Sequence, residues 1–79
     1  MSSPDLDSVT AVICRVGKVP TVGPDQDMFE AGVSSVDALE VLLELEITFD
    51  VSIPDNQFVR ARTPRALTTL LTRLGAEAA

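Results

Sequence analysis

Apolar side chains recur at helical spacing in the first part of the chain. Five of them fall on one side of a helix, each three or four positions from at least one other: Leu6, Val9, Val12, Ile13 and Val16. This spacing predicts an amphipathic helix over about residues 5–16. Ser3 followed by Pro4 is the predicted start, as a cap and a first-turn proline, and Gly17 is the predicted end.

A second helix is predicted from Ser35 to about Phe49. Ser34 precedes it and Asp37 follows three residues later, which is the pattern of a capping box with Asp in the place of Glu. If Ser35 were the cap, Ala38 would occupy the reciprocal position and could return no hydrogen bond. The spacing therefore favours Ser34 as the cap and Ser35 as the first helical residue.

The remainder of the chain predicts one short helix and one long helix. Residues 51–54 are predicted to be extended, because the residue before a proline avoids the helical region, and Asp55 is predicted to cap a brief turn. Thr63 and Pro64 are a second cap and first-turn proline. The apolar repeat then continues to Gly75, the predicted end of the last helix.

A long loop is predicted between the first two helices. Residues 18–34 are rich in proline and glycine, and Met28 and Phe29 are the predicted anchors of this segment. With 79 residues the chain has room for one domain. We therefore expect a single domain over residues 1–79, with an ordered core at about 5–74, in an all-α fold. The predicted architecture is a four-helix bundle with three main helices and one short helix.

The charge is distributed unevenly along the chain. Residues 25–55 contain nine acidic side chains and no basic one. Such a segment repels nucleic acid and anionic lipid and attracts basic protein surfaces, although it is also compatible with a face that only aids solubility. The sequence has neither a secretory signal nor an apolar stretch that would span a bilayer. A cytoplasmic monomer that binds neither nucleic acid nor membrane is the expectation.

The residues needed for catalysis or metal binding are scarce. The chain has no histidine and one cysteine, Cys14, so neither an internal disulfide nor a Cys/His metal site is expected. A serine nucleophile needs a neighbouring base, and nothing in the sequence pairs Ser35 with the single lysine, Lys18. We therefore expect no enzymatic activity, and Ser35 is interpreted as an acceptor that another enzyme modifies.

The segment Gly32–Glu40 resembles the modification site of acyl carrier proteins. In that family a serine at the start of the second helix receives 4′-phosphopantetheine. The similarity continues through residues 45–54 and 63–67 without gaps. The resemblance implies that Ser35 is the attachment residue, that Val36 is the apolar residue after it, and that Asp37 is one of the helix acids.

Two departures from the family pattern favour a specialised pathway. The residue before the serine is usually Asp but is Ser34 here, and Ile47 and Thr48 stand where fatty-acid carriers tend to be acidic. The resemblance implies a free-standing carrier in polyketide or mixed peptide–polyketide assembly. Its implied partners are a phosphopantetheinyl transferase and an acyltransferase, ketosynthase or adenylating enzyme with basic docking surfaces. An aminoacyl or peptidyl carrier and an unmodified acidic helical adaptor are the alternatives.

The predicted second helix has two apolar faces when it is wound at about 100° per residue. One is the predicted core face, formed by Ala38, Leu39, Leu42, Leu45 and Phe49. The other is a stripe of Val36, Glu40, Leu43 and Ile47, which lies beside an acidic arc with Asp37 and Glu44. The candidate partner-binding residues are Val36, Asp37, Glu40, Leu43, Glu44 and Ile47. This second face either docks on basic, partly apolar partners or extends the buried core.

Overall fold

The chain folds into four α-helices. The computed structural model describes residues 3–78, and the side chains of residues 3–75. The helices are α1 (Leu6–Gly17), α2 (Ser35–Phe49), α3 (Asp55–Phe58) and α4 (Pro64–Ala78). Within residues 3–78 there is no β-strand, and no helix there is long and apolar enough to cross a membrane. The predicted all-α fold, with three main helices and a short one, is confirmed.

Helix α1 is capped by a different residue from the one predicted. Asp5 has an extended backbone, and its carboxylate accepts a hydrogen bond of 2.8 Å from the N–H of Ser8. That hydrogen bond is the main reason why the pKa of Asp5 lies below its ordinary value. The predicted cap at Ser3 and first-turn proline at Pro4 are wrong. The carboxylate of Asp5 caps the N–H three residues later, so the helix begins after Asp5.

The predicted starts of α2 and α4 are confirmed by their hydrogen bonds. Ser34 Oγ accepts from the N–H of Asp37 at 3.1 Å, and Thr63 Oγ1 accepts from the N–H of Ala66 at 3.1 Å. Each hydroxyl accepts a hydrogen bond from one of the backbone N–H groups that have no partner within the helix at its N-terminus.

Two other predicted helix boundaries are wrong. Asp55 is the first residue of α3, after Pro54 in the cap position, and no side chain caps this short helix. Helix α4 continues through Gly75 to Ala78, because a glycine inside a helix weakens it without ending it.

The core lies between the helices and is filled by apolar side chains. Helix α1 packs against both α2 and α4. The buried side chains on α2 are Ala38, Val41, Leu42, Leu45 and Phe49. The prediction that Leu39 belongs to the core is wrong, since its side chain is 60% exposed. Val41, which was not predicted, takes its place, and on the helical wheel it lies closer than Leu39 to the arc of the other buried residues.

The long loop between α1 and α2 is held against the start of α4. Met28 is buried, and its N–H donates to the carbonyl oxygen of Arg62 at 2.9 Å. Phe29 is half-buried, with the Arg62 guanidinium 4.8 Å from its ring centroid. The predicted anchors are confirmed, and an ion pair of 2.8 Å between Arg65 and Asp25 adds a contact outside the core.

The end of α1 lies in close contact with the residue before the α2 cap. A Cβ atom added to Gly17 would stand 2.8 Å from Cγ2 of Val33, so only glycine permits this approach. Gly17 is the last residue of α1, as predicted, and the left-handed conformation falls on Lys18, at φ 61°. This contact sets the position of the α2 N-terminus relative to α1.

Candidate functional site

Ser35 is exposed at the first position of α2. Because Ser34 occupies the cap position and its hydroxyl accepts from Asp37, Ser35 is free to direct its own side chain outward. The hydroxyl of Ser35 forms no hydrogen bond with any residue between 3 and 75. The structure therefore presents an accessible hydroxyl that no described residue hydrogen-bonds.

The backbone around Ser35 favours a negatively charged substituent. The N–H groups of Ser35 and Val36 belong to the first turn of α2, and no acceptor in the described part of the chain receives them. Free N–H groups at a helix N-terminus, together with the helix dipole, stabilise a phosphate group. A phosphodiester on Ser35 Oγ is compatible with this environment.

A small cleft of about 270 Å³ opens beside Ser35. It is lined by Phe29, Phe58, Val59 and Arg62 in addition to the serine. Arg62 is held in place by its ion pair with Asp27, in which Nε and Oδ2 are 2.8 Å apart. The cleft therefore combines apolar walls with one cation beside the Ser35 hydroxyl.

One face of α2 exposes a continuous apolar strip. Its members are Val36, Leu39, Leu43 and Ile47, which are 57–77% exposed. The interpretation in which this face extends the buried core is therefore wrong. The sequence analysis did not assign Leu39 to this strip. Its position next to Leu43 on the helical wheel is nevertheless consistent with the same exposed face.

The carboxylates beside the apolar strip differ in their surroundings. Asp37 Oδ1 is 3.6 Å from Nζ of Lys18, and Glu44 Oε1 is 4.0 Å from Nη1 of Arg15. Glu40 is exposed and forms no ion pair with the residues described. The sequence placed all three acids on this helix but did not predict that Arg15 and Lys18, at the end of α1, pair with two of them.

The family model for the phosphopantetheine attachment site matches residues 7–71, which include all of α1 except its first residue, all of α2 and α3, and the first half of α4. The chain belongs to this carrier protein family. Its members carry 4′-phosphopantetheine as a covalent group. The match agrees with the chemistry of the α2 N-terminus described above.

Individual relatives support the same assignment. An aminoacyl carrier protein from Agrobacterium fabrum strain C58 is 28% identical over 53 residues, which cover 62% of this chain and 64% of the relative. The hexanoyl acyl carrier protein of the actinorhodin polyketide synthase from Streptomyces coelicolor is 30% identical. It superposes with a TM-score of 0.76 over 92% of each chain.

A third relative shares the fold. It comes from a crystal structure of an engineered Bradyrhizobium japonicum glycine–carrier protein ligase complexed with a carrier protein from Agrobacterium tumefaciens and AMP. The identity is 23% and the TM-score 0.74, with 85% of this chain and 97% of the other covered. This protein therefore has the same fold as the carrier protein in that complex.

Proposed function

We propose that this protein is an acyl carrier protein that holds a biosynthetic intermediate on a 4′-phosphopantetheine arm attached to Ser35. The observation that carries the proposal is the exposed, unbonded hydroxyl of Ser35 at the α2 N-terminus, inside a chain of the phosphopantetheine attachment family. The likeness to the actinorhodin carrier favours polyketide or related natural-product synthesis. The protein itself supplies no catalytic group in this proposal.

The attachment reaction needs an external enzyme and coenzyme A. The Ser35 oxygen forms a bond to the phosphorus next to the pantetheine, and the bond from that phosphorus to the nucleotide part of coenzyme A breaks. The serine proton passes to a base on the transferase, because the carrier offers none near Ser35. The terminal thiol of the arm then carries the acyl group as a thioester, and tethering raises the effective concentration of substrate at each partner enzyme.

The test is the intact mass of the protein after incubation with coenzyme A and a broad-specificity phosphopantetheinyl transferase. We expect the wild-type protein and Ser34→Ala to gain one phosphopantetheine group and Ser35→Ala to gain none. Circular dichroism of Ser35→Ala should show unchanged helix content. Modification of Ser35→Ala, or the failure of Ser34→Ala alone, would contradict the proposed attachment residue.

A second candidate function is supported by two relatives. One is named an aminoacyl carrier protein, and one belongs to a complex with a glycine–carrier protein ligase. In this alternative an adenylating enzyme loads an amino acid onto the same arm. Loading assays on the modified protein, with acyltransferases or ketosynthases on one side and adenylating enzymes on the other, distinguish the two functions.

The remaining predictions about the whole protein follow from the same proposal. An unmodified acidic adaptor would show no mass change with the transferase, so the mass experiment also tests that alternative. The monomeric state and the cytoplasmic location stay predictions. Intact mass after co-expression with neighbouring genes would reveal both the arm and its cargo.

A further inference from the structure

Two basic residues at the C-terminal end of α1, Arg15 in its last turn and Lys18 directly after it, lie across a groove from the carboxylates of α2 and are called the α1 cations below. This α1–α2 groove is lined by Arg15, Val16, Lys18, Glu40, Leu43, Glu44 and Ile47. Lys18 pairs with Asp37 and Arg15 with Glu44. The two helices run antiparallel along the groove, since the later cation in α1 meets the earlier acid in α2.

These ion pairs contribute little to the free energy of folding, because their cations are exposed. The side chains of Lys18 and Arg15 are 72% and 64% exposed. Exposed ion pairs contribute little to stability, because water screens the attraction and both side chains lose conformational freedom. Their larger effect is on the electrostatic potential that an approaching protein meets.

Glu40 is the carboxylate of the groove that the α1 cations leave unpaired. A second contact, from Thr48 Oγ1 to Glu44 Oε2 at 3.1 Å, further restricts Glu44. An approaching surface therefore meets the free carboxylate of Glu40 beside two carboxylates that are paired with cations, over an apolar floor that includes Leu43. Lys18 and Arg15 reduce the attraction that these carboxylates exert on a uniformly basic surface.

We propose that Arg15 and Lys18 determine which enzymes dock on this carrier. By pairing with Glu44 and Asp37 they favour a partner surface with an acidic group beside its basic one, and they disfavour a uniformly basic surface. This inference rests on the proposed carrier function. It assigns a role to the end of α1, in addition to the face of α2.

The experiment measures kcat/KM for phosphopantetheine transfer by a broad-specificity transferase whose docking surface is basic. We expect Lys18→Gln and Arg15→Gln each to raise this value about two- to fivefold at low ionic strength, because steering by charge changes the association rate. The gain should vanish near 1 M salt, where the screening length is about 3 Å. Circular dichroism melts check that both variants are folded.

The matched control is Arg73→Gln, which removes the same charge from the groove between α3 and α4. We expect it to change kcat/KM by less than half of the gain seen for Lys18→Gln. Equal gains in all three variants would show an effect of net charge alone and overturn the inference. Slower transfer to Lys18→Gln or Arg15→Gln would also overturn it, since those residues would then contact the transferase favourably.

Selectivity itself is tested with transferase variants in which one basic docking residue at a time is made acidic. For each carrier, kcat/KM with the unchanged transferase is divided by kcat/KM with an acidic transferase variant. This ratio should be higher for the Lys18→Gln carrier than for the wild-type carrier. An equal ratio for every variant would contradict the proposed selectivity. If the wild-type carrier gains no mass at all, the proposed function fails; if it is modified but its rates are insensitive to Lys18 and Arg15, only this inference fails.

Discussion

Two adjacent serines at the start of α2 have different surroundings. Ser34 has an extended backbone and its hydroxyl accepts the Asp37 N–H. Ser35 is the first helical residue, with an exposed and unbonded hydroxyl. A one-residue shift of the helix start would exchange these roles, so the cap fixes which serine is available for modification.

Ser34→Ala tests the cap directly. We expect it to lower the free energy of unfolding by about 0.5–2 kcal/mol, because the N–H of Asp37 loses its acceptor. Ser34→Asp keeps an acceptor and adds a negative charge at the N-terminus of α2, so its stability should match the wild type. Urea titrations monitored by circular dichroism measure both. An unchanged midpoint for Ser34→Ala would contradict the assigned helix start.

Gly17 is closely packed, whereas Gly75 has open space around the position of a Cβ atom. A Cβ at Gly17 would meet the buried side chain of Val33 at 2.8 Å, whereas a Cβ at Gly75 would meet nothing within 4 Å. Val33 cannot easily move away, since it is buried and its branched side chain has few rotamers.

Alanine at these two glycines should therefore have opposite effects. We expect Gly17→Ala to destabilise the protein by about 1–3 kcal/mol through overpacking. Gly75→Ala should stabilise it by about 0.4–1 kcal/mol, because alanine restricts the unfolded chain and suits a helix. Thermal melts of the two variants provide the measurement, and a stabilising effect of Gly17→Ala would disprove the close contact with Val33.

At the scale of the element, α2 is apolar over most of its circumference. One arc, with Val41 and Leu45 in it, is fully buried, while Leu43 and Ile47 remain exposed on another. A helix that has to pack on its own domain needs only the first arc. The second arc is therefore available for contact with other proteins.

Substitutions on the two arcs should separate stability from docking. We expect Leu43→Ala and Ile47→Ala to change the free energy of unfolding by less than about 1 kcal/mol, because both side chains are largely exposed. Leu45→Ala, the matched control in the core, should cost about 2–5 kcal/mol. Differential scanning calorimetry compares the three. A large loss for both exposed positions would remove the basis for a docking face on α2.

For the whole molecule, tertiary contacts redistribute the charge that the sequence presents as blocks. Arg62 and Arg65 reach back to Asp27 and Asp25, while the α1 cations meet the acids of α2. The acidic segment over residues 25–55 is therefore partly paired, and the exposed carboxylate of Glu40 remains free in the groove.

Glu40→Lys should slow the association of the carrier with a basic transferase and flatten its salt dependence. Exposed charges act mainly on association rates, and salt screens them. Asp7→Lys, at the far end of α1, makes the same change in net charge and is the control, with a smaller expected effect. Stopped-flow association at several salt concentrations tests this. Equal slowing by both variants would indicate that net charge alone steers the encounter.

The sequence by itself determined the four helices and the starts of α2 and α4. Ser34 and Thr63 cap α2 and α4 as predicted, because hydrogen bonds to the N–H three residues later are local and depend on residue type and spacing alone. The proposed attachment residue, Ser35, was indicated by its place one residue after the Ser34 cap together with the family resemblance. The family resemblance covered the same segment.

Tertiary structure decided which apolar residues of α2 are buried and which carboxylates are paired. The helical wheel places Leu39 beside Leu43 and Val41 beside Leu45, but the side of α2 that α1 covers decides that Val41 is buried and Leu39 is exposed. The contacts of Lys18 with Asp37 and of Arg15 with Glu44 join residues far apart in sequence. The spacing of residues within one helix does not predict such contacts, because they depend on how two helices are placed against each other.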